Sequence, residues 1–125
     1  MERGIENYIK GGERNLDEIG RRVDQFIKVK GKGDDGSPYV EVSDILKAAI
    51  TLYKRAGVEA SKFLEISKAL DSYAQKLKEH FSEFTPKLIK CQGSKFHYTP
   101  QIRAKVLLGK LIEGSKTCQK LANKL

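Results

Sequence analysis

The strongest pattern in the chain runs from Val58 to Phe84. There the large apolar residues Phe63, Ile66, Leu70, Tyr73, Leu77, Phe81 and Phe84 recur in steps of three or four. Such spacing places them on one stripe of an α-helix, with Lys62, Lys68, Asp71, Lys76, Lys78 and Glu79 mostly elsewhere around it. Neither proline nor glycine interrupts the run before Thr85-Pro86, so a single helix over 58–84, about 40 Å long, is predicted. A rod with so bulky an apolar stripe needs other helices to cover it.

Three further segments supply them. Leu16, Ile19, Val23, Phe26 and Ile27 repeat at helical spacing behind Asn15, an N-cap residue, with Glu18 at the third helical position, and predict a helix over 15–29. Before it, Ile5, Tyr8 and Ile9 suggest a short separate helix closed by Gly11-Gly12. Ser43 reads as the cap of a helix over 43–56 that ends at Gly57, a good C′ residue after Lys54-Arg55. Its face of Ile45, Leu46, Ala49, Ile50, Leu52 and Tyr53 is broader than one neighbour covers, which leaves a homo-oligomer open. Because the rod begins at once after Gly57, these two helices are expected to form a tight hairpin or bend.

Thr99-Pro100 reads as an N-cap and first-turn proline opening the last helix, 100–124. On a wheel its Ala104, Leu107, Leu108, Leu111, Cys118, Ala122 and Leu125 share one side, and Lys105, Lys116, Lys120 and Lys124 lie opposite. Gly109 and Gly114 weaken this helix and are expected where a neighbour approaches closely. The fold class is therefore all-α: an antiparallel bundle of four main helices in one domain over 1–125, with a flexible loop at 30–42 and an irregular basic and aromatic connector at 85–99. No segment alternates as a strand.

The composition, 39% hydrophobic and 32% charged, suits a globular chain, and no apolar run reaches the length of a membrane-spanning helix. The N-terminal residues lack the apolar core of a secretory signal, and two cysteines make no disulfide framework. An intracellular setting, cytoplasmic or at the membrane periphery, is expected. The net charge of +8 adds more once divided along the chain. Residues 1–84 balance fifteen basic against fifteen acidic residues, whereas 85–125 set Lys87, Lys90, Lys95, Arg103, Lys105, Lys110, Lys116, Lys120 and Lys124 against Glu113 alone. The whole excess thus lies in the last third, and a one-sided field of this kind attracts anions.

Other chemistry finds little support. The glycine-rich stretch KGKGDDGSPYVE at 30–41 lacks the GxxxxGK[ST] of a phosphate loop. Counted from Asp34 as a calcium loop, it puts Tyr39 and Ile45 where glycine and glutamate are required. His80, Cys91, His97 and Cys118 lack the paired spacing of a zinc site, and Cys91 with His97 has neither an orienting third group nor an oxyanion hole. No catalytic residue, metal or cofactor is expected, and the chain reads as a non-enzyme.

The candidate binding residues are Lys87, Lys90, Lys95, Phe96, His97, Tyr98, Arg103, Lys105, Lys110, Lys116, Lys120 and Lys124. Aromatic residues among lysines can stack on bases or enter a bilayer interface while the lysines hold head groups. They can equally close the end of the bundle. Eighteen of the twenty-four basic residues are lysine, which suits diffuse attraction better than the bidentate contacts of arginine. The expected function is that of an interaction module whose basic C-terminal third docks on an acidic phospholipid membrane or an acidic protein. Sequence-independent contact with nucleic acid phosphates is the alternative.

Overall fold

The computed structural model describes residues 2–32, 38–90 and 97–125, and side chains within 4–32, 41–89 and 99–125. Four helices dominate: α1 (Glu2–Lys28), α2 (Pro38–Ala56), α3 (Ala60–Glu79) and α4 (Pro100–Lys124). A 3-10 turn at Phe81–Glu83 follows α3, and β1 (Ile89–Lys90) pairs antiparallel with β2 (His97–Tyr98), in the register Ile89↔Tyr98 and Lys90↔His97. The protein is an all-α four-helix bundle, and that two-residue pairing is strand structure the sequence pattern does not reveal.

α1 runs unbroken through Gly11-Gly12, so the expected short separate helix and the cap at Asn15 do not exist. The glycines serve packing instead. A Cβ on Gly11 would lie 3.0 Å from Leu52 Cδ1, and one on Gly12 would lie 2.9 Å from the Tyr53 ring. Eight residues on, Gly20 receives Tyr73 in the same way, and the Tyr73 hydroxyl donates to the Leu16 carbonyl at 3.1 Å. Glu18, free of any capping task, pairs with Arg22 at 3.0 Å.

α2 starts at Pro38, five residues before Ser43, which lies inside the helix. A proline at the first helical position needs no N–H partner and has its φ already set. Residues 33–37 of the expected loop lie outside the described residues. Both α1 and α2 end in Schellman turns. At the end of α1 the N–H of Gly31 reaches the Phe26 carbonyl and that of Lys30 reaches Ile27, with Lys30 at φ 54. At the end of α2, Val58 reaches Tyr53 and Gly57 reaches Lys54, and Gly57, as expected, takes φ 65.

α3 is shorter than the predicted rod. Gly20 of α1 meets Tyr73 and, further along, Asp24 pairs with Lys76, so α1 and α3 run side by side in the same direction, and α1 stops at Lys28. A helix reaching residue 84 would overshoot it by about a turn. The 3-10 turn instead folds Phe84 over the bundle end, 5.2 Å from the Phe26 ring and 6.1 Å from Phe81. Every residue of the predicted stripe packs inward: Phe63, Ile66, Leu70, Leu77 and Phe84 are buried, and Tyr73 and Phe81 pack on the core.

The close pairs are α1 with α2 and α3 with α4, each antiparallel, while α2 meets α4 and α1 meets α3. The short link between α2 and α3 therefore joins two hairpins rather than forming one; these helices touch at the turn, where Tyr53 meets Phe63 edge-on at 6.5 Å. The broad face of α2 is covered twice, by α1 at Leu52 and Tyr53 and by α4 at Leu46. Ser67 and Ser115, both buried, set the register of α3 on α4. Their hydroxyls are 2.7 Å apart, and Gln119 Nε2 donates to Ser67 Oγ at 3.0 Å.

The two glycines of α4 differ. A Cβ on Gly114 would lie 2.5 Å from Leu46 Cδ2 and 3.1 Å from Leu70 Cδ1, the close approach expected of it. Gly109 meets no such atom and is exposed. Gly109→Ala should therefore raise stability by about 1 kcal/mol, the intrinsic helix penalty of glycine. A urea midpoint at or below that of the parent protein would show that Gly109 has a structural partner after all.

Candidate docking surface

α4 owes its position to α3 and its outward face to its own period. Ala104, Leu107, Leu111, Cys118 and Ala122 are buried in the shared core, and Thr99 Oγ1 caps the helix by accepting from the Ile102 N–H at 3.2 Å. Leu125, expected on the buried side, is exposed at the helix end. Opposite the core, Lys105, Lys116, Lys120 and Lys124 are all exposed, and Lys110 is exposed at the margin, beside α2. Lys110 lies 3.8 Å from Glu113, the one acid of the helix; among the described residues Lys105, Lys116, Lys120 and Lys124 make no ion pair. These lysines spread along a helix about 37 Å long.

Arg103 has a different place. It is half-buried, donates to the Gly31 carbonyl at 3.0 Å and stands 5.7 Å over the Phe26 ring. It thereby ties the first turn of α4 to the Schellman turn of α1, and its guanidinium is engaged by the fold.

The connector completes the surface. Gln101 N–H donates to the Thr85 carbonyl at 3.1 Å and fixes the approach to α4, with Lys87 exposed beside Leu88. The β1–β2 pairing puts Lys90 opposite His97 in backbone register. The side chains of Lys90, His97 and Tyr98, and residues Cys91, Lys95 and Phe96 altogether, lie outside what the structure describes.

Three residues of this surface escape a reading for charge alone. Ile102 is 58% exposed, Val106 37% and Leu88, at the same end of the bundle, 65%. Ile102, Val106 and Gly109 stand at i, i+4 and i+7, a helical line on the side opposite the core stripe. That spacing could have been found in the sequence, but the stronger core stripe of the same helix masks it.

Elsewhere the chemistry is modest. Among the described residues no group of three His, Cys, Asp or Glu is placed to hold a metal ion. Cys118 is fully buried, and burial pushes its thiol up to about 11, so no thiolate is available near neutral pH. His80 pairs with Glu83 at the end of α3, far along the bundle from Cys118. An open groove of about 260 Å³ between α2 and α4 is lined by Leu46, Ile50, Gly114, Lys47 and Lys110, among others. None of the described helices is long and apolar enough to cross a membrane. No protein-family model, curated protein or solved structure matches the chain.

Proposed function

We propose that the protein is a non-catalytic docking module whose basic α4 face binds an anionic surface of another macromolecule, an acidic protein or an acidic phospholipid bilayer. The observation that carries this reading is the set of exposed lysines 105, 116, 120 and 124 without acidic partners among the described residues, on a helix stapled to α3 by the Ser67–Ser115 contact. Unpaired cations on a rigid element keep their field for a partner, whereas the charges of α1 and α3 are partly neutralised within the chain, as by Lys76 with Asp24 and Arg22 with Glu18. Lysine ammonium groups tolerate varied geometry and suit a diffuse anionic surface.

Replacing Lys105, Lys116, Lys120 and Lys124 together with glutamate removes the whole excess charge of +8. At about 1 kcal/mol per lysine near an anionic surface, binding to phosphatidylserine vesicles or to polyglutamate should fall roughly a hundredfold or more. Circular dichroism checks that the helices persist. A parent protein that binds neither polyanion at low salt defeats the proposal. Tighter and more salt-sensitive binding to duplex nucleic acid than to either would replace it with the phosphate-contact reading.

A further inference from the structure

We infer that the outer face of α4 seats an acidic amphipathic helix of a partner protein along the line Ile102, Val106 and Gly109. The inference rests on the docking reading above and names its occupant.

Three features of that line weaken the isolated helix. Ile102 and Val106 are exposed and β-branched, and so are poorer helix formers than the alanine or glutamine that would serve on a solvated face. Gly109 weakens the helix at a position where a Cβ would meet no described atom within 4 Å. A second helix laid along the line accounts for all three. Aliphatic side chains bury against it, and a position without Cβ lets its backbone come close.

The spacing fits such a partner. Ile102, Val106 and Gly109 fall at alternate steps of four and three, as the seam positions of a coiled coil do. Lys105 directly precedes Val106 and Lys110 directly follows Gly109, where flanking residues select a partner by charge. Both lysines are exposed. Beyond the apolar segment, Lys116, Lys120 and Lys124 prolong the basic track toward the C-terminus, interrupted by Glu113. The matching helix carries small apolar residues on its seam and Glu or Asp on both flanks.

Other occupants fit less well. A second copy of this chain would set lysine against lysine. A bilayer gains nothing from a glycine notch, and α4 contains no aromatic residue to anchor in an interface. A phosphate backbone contacted without regard to sequence offers no apolar surface for isoleucine and valine to bury against.

The test uses a labelled 21-residue helical peptide with an alanine and leucine seam and glutamate flanks, titrated into the full chain by fluorescence anisotropy. Phosphatidylserine vesicles are titrated in parallel. Gly109→Gln fills the notch without changing charge, and Val106→Ser removes the apolar contact. Each is expected to weaken the peptide at least tenfold, to leave vesicle association within twofold, and to keep the helical circular dichroism spectrum. Peptide affinity unchanged in both variants, while the fourfold lysine-to-glutamate protein loses it, overturns the seat but leaves docking on anions standing. Binding to vesicles without binding to the peptide overturns the protein partner in favour of a bilayer. Binding to neither overturns the seat, and failure to bind polyglutamate as well overturns the docking reading.

Discussion

Gly114→Val is expected to lower stability by roughly 3 kcal/mol, at the upper end of overpacking costs in a filled core. The added Cβ would stand 2.5 Å from Leu46 Cδ2 and 3.1 Å from Leu70 Cδ1, where α2 and α3 both press on the backbone of α4. The open groove beside Gly114 gives Leu46 room to move, but moving there exposes a side chain that is now buried. Re-exposing a leucine costs about 1.5–3 kcal/mol, so clash and escape lead to losses of similar size. The urea midpoint reports the difference, and the slope of the transition should not change, since the unfolded chain exposes the same surface. Gly109→Ala, five residues away on the same helix, changes stability in the opposite direction. A Gly114→Val protein as stable as the parent would mean that α2 does not press on α4 at this point.

The second large effect is alkaline. Burial pushes the Tyr53 hydroxyl up to about 12 from the usual 10, and the charges of Glu13, Glu65 and Asp17 act in the same direction. Tyr73 is raised as well, first by burial and then by Asp17 and Asp24, and Cys118 rises to about 11 by burial alone. In the unfolded chain these groups ionise at their ordinary values. Above about pH 9 for the thiol and pH 10 for the hydroxyls, the unfolded state therefore holds fewer protons than the folded one, and stability falls as pH rises. Their contribution is complete below those values and is lost progressively as pH climbs toward the folded values. At about 1.4 kcal/mol for each pH unit, Tyr53 alone accounts for about 2–3 kcal/mol by pH 12. Denaturation curves between pH 8 and 11.5 should show the decline, with a shallower one in Tyr53→Phe. An equally steep decline in that variant would assign the alkaline sensitivity to other groups.

Much of the bundle is legible in single residues. The stripe from Phe63 to Leu77 marks the inner face of α3, and its continuation at Phe81 and Phe84 the cap over the bundle end, because apolar side chains at helical spacing leave water on one common side. Thr99-Pro100 marks the start of α4, and Gly57 the end of α2, because local backbone chemistry decides both. The misreadings share a cause. Gly11-Gly12 looks like a helix end, yet α1 continues through it because Leu52 and Tyr53 need the space where two side chains would be. Ser43 looks like a cap, but the helix begins at Pro38; the pair Ser37-Pro38 carries the same signal as Thr99-Pro100 and could have been read that way. The rod over 58–84 loses its last turn because α1 has no surface to offer it past Lys28.

The candidate surface divides in the same way. The lysines of the last third, and their position opposite the core stripe of α4, follow from the order of residues. That Arg103 is held by the Gly31 carbonyl and the Phe26 ring does not, because its partners lie more than seventy residues earlier in the chain.

By itself, then, the sequence determines that the chain forms four amphipathic helices, which residues line their inner faces, and where the positive charge collects, since these depend on periodicity and composition within each segment. Only the tertiary structure decides that the hairpins are α1–α2 and α3–α4, that Gly114 is a contact while Gly109 is an open notch, and that Ile102 and Val106 remain exposed. Each of these turns on which helix arrives at a given face, and that is set by long-range packing rather than by any neighbour in the chain.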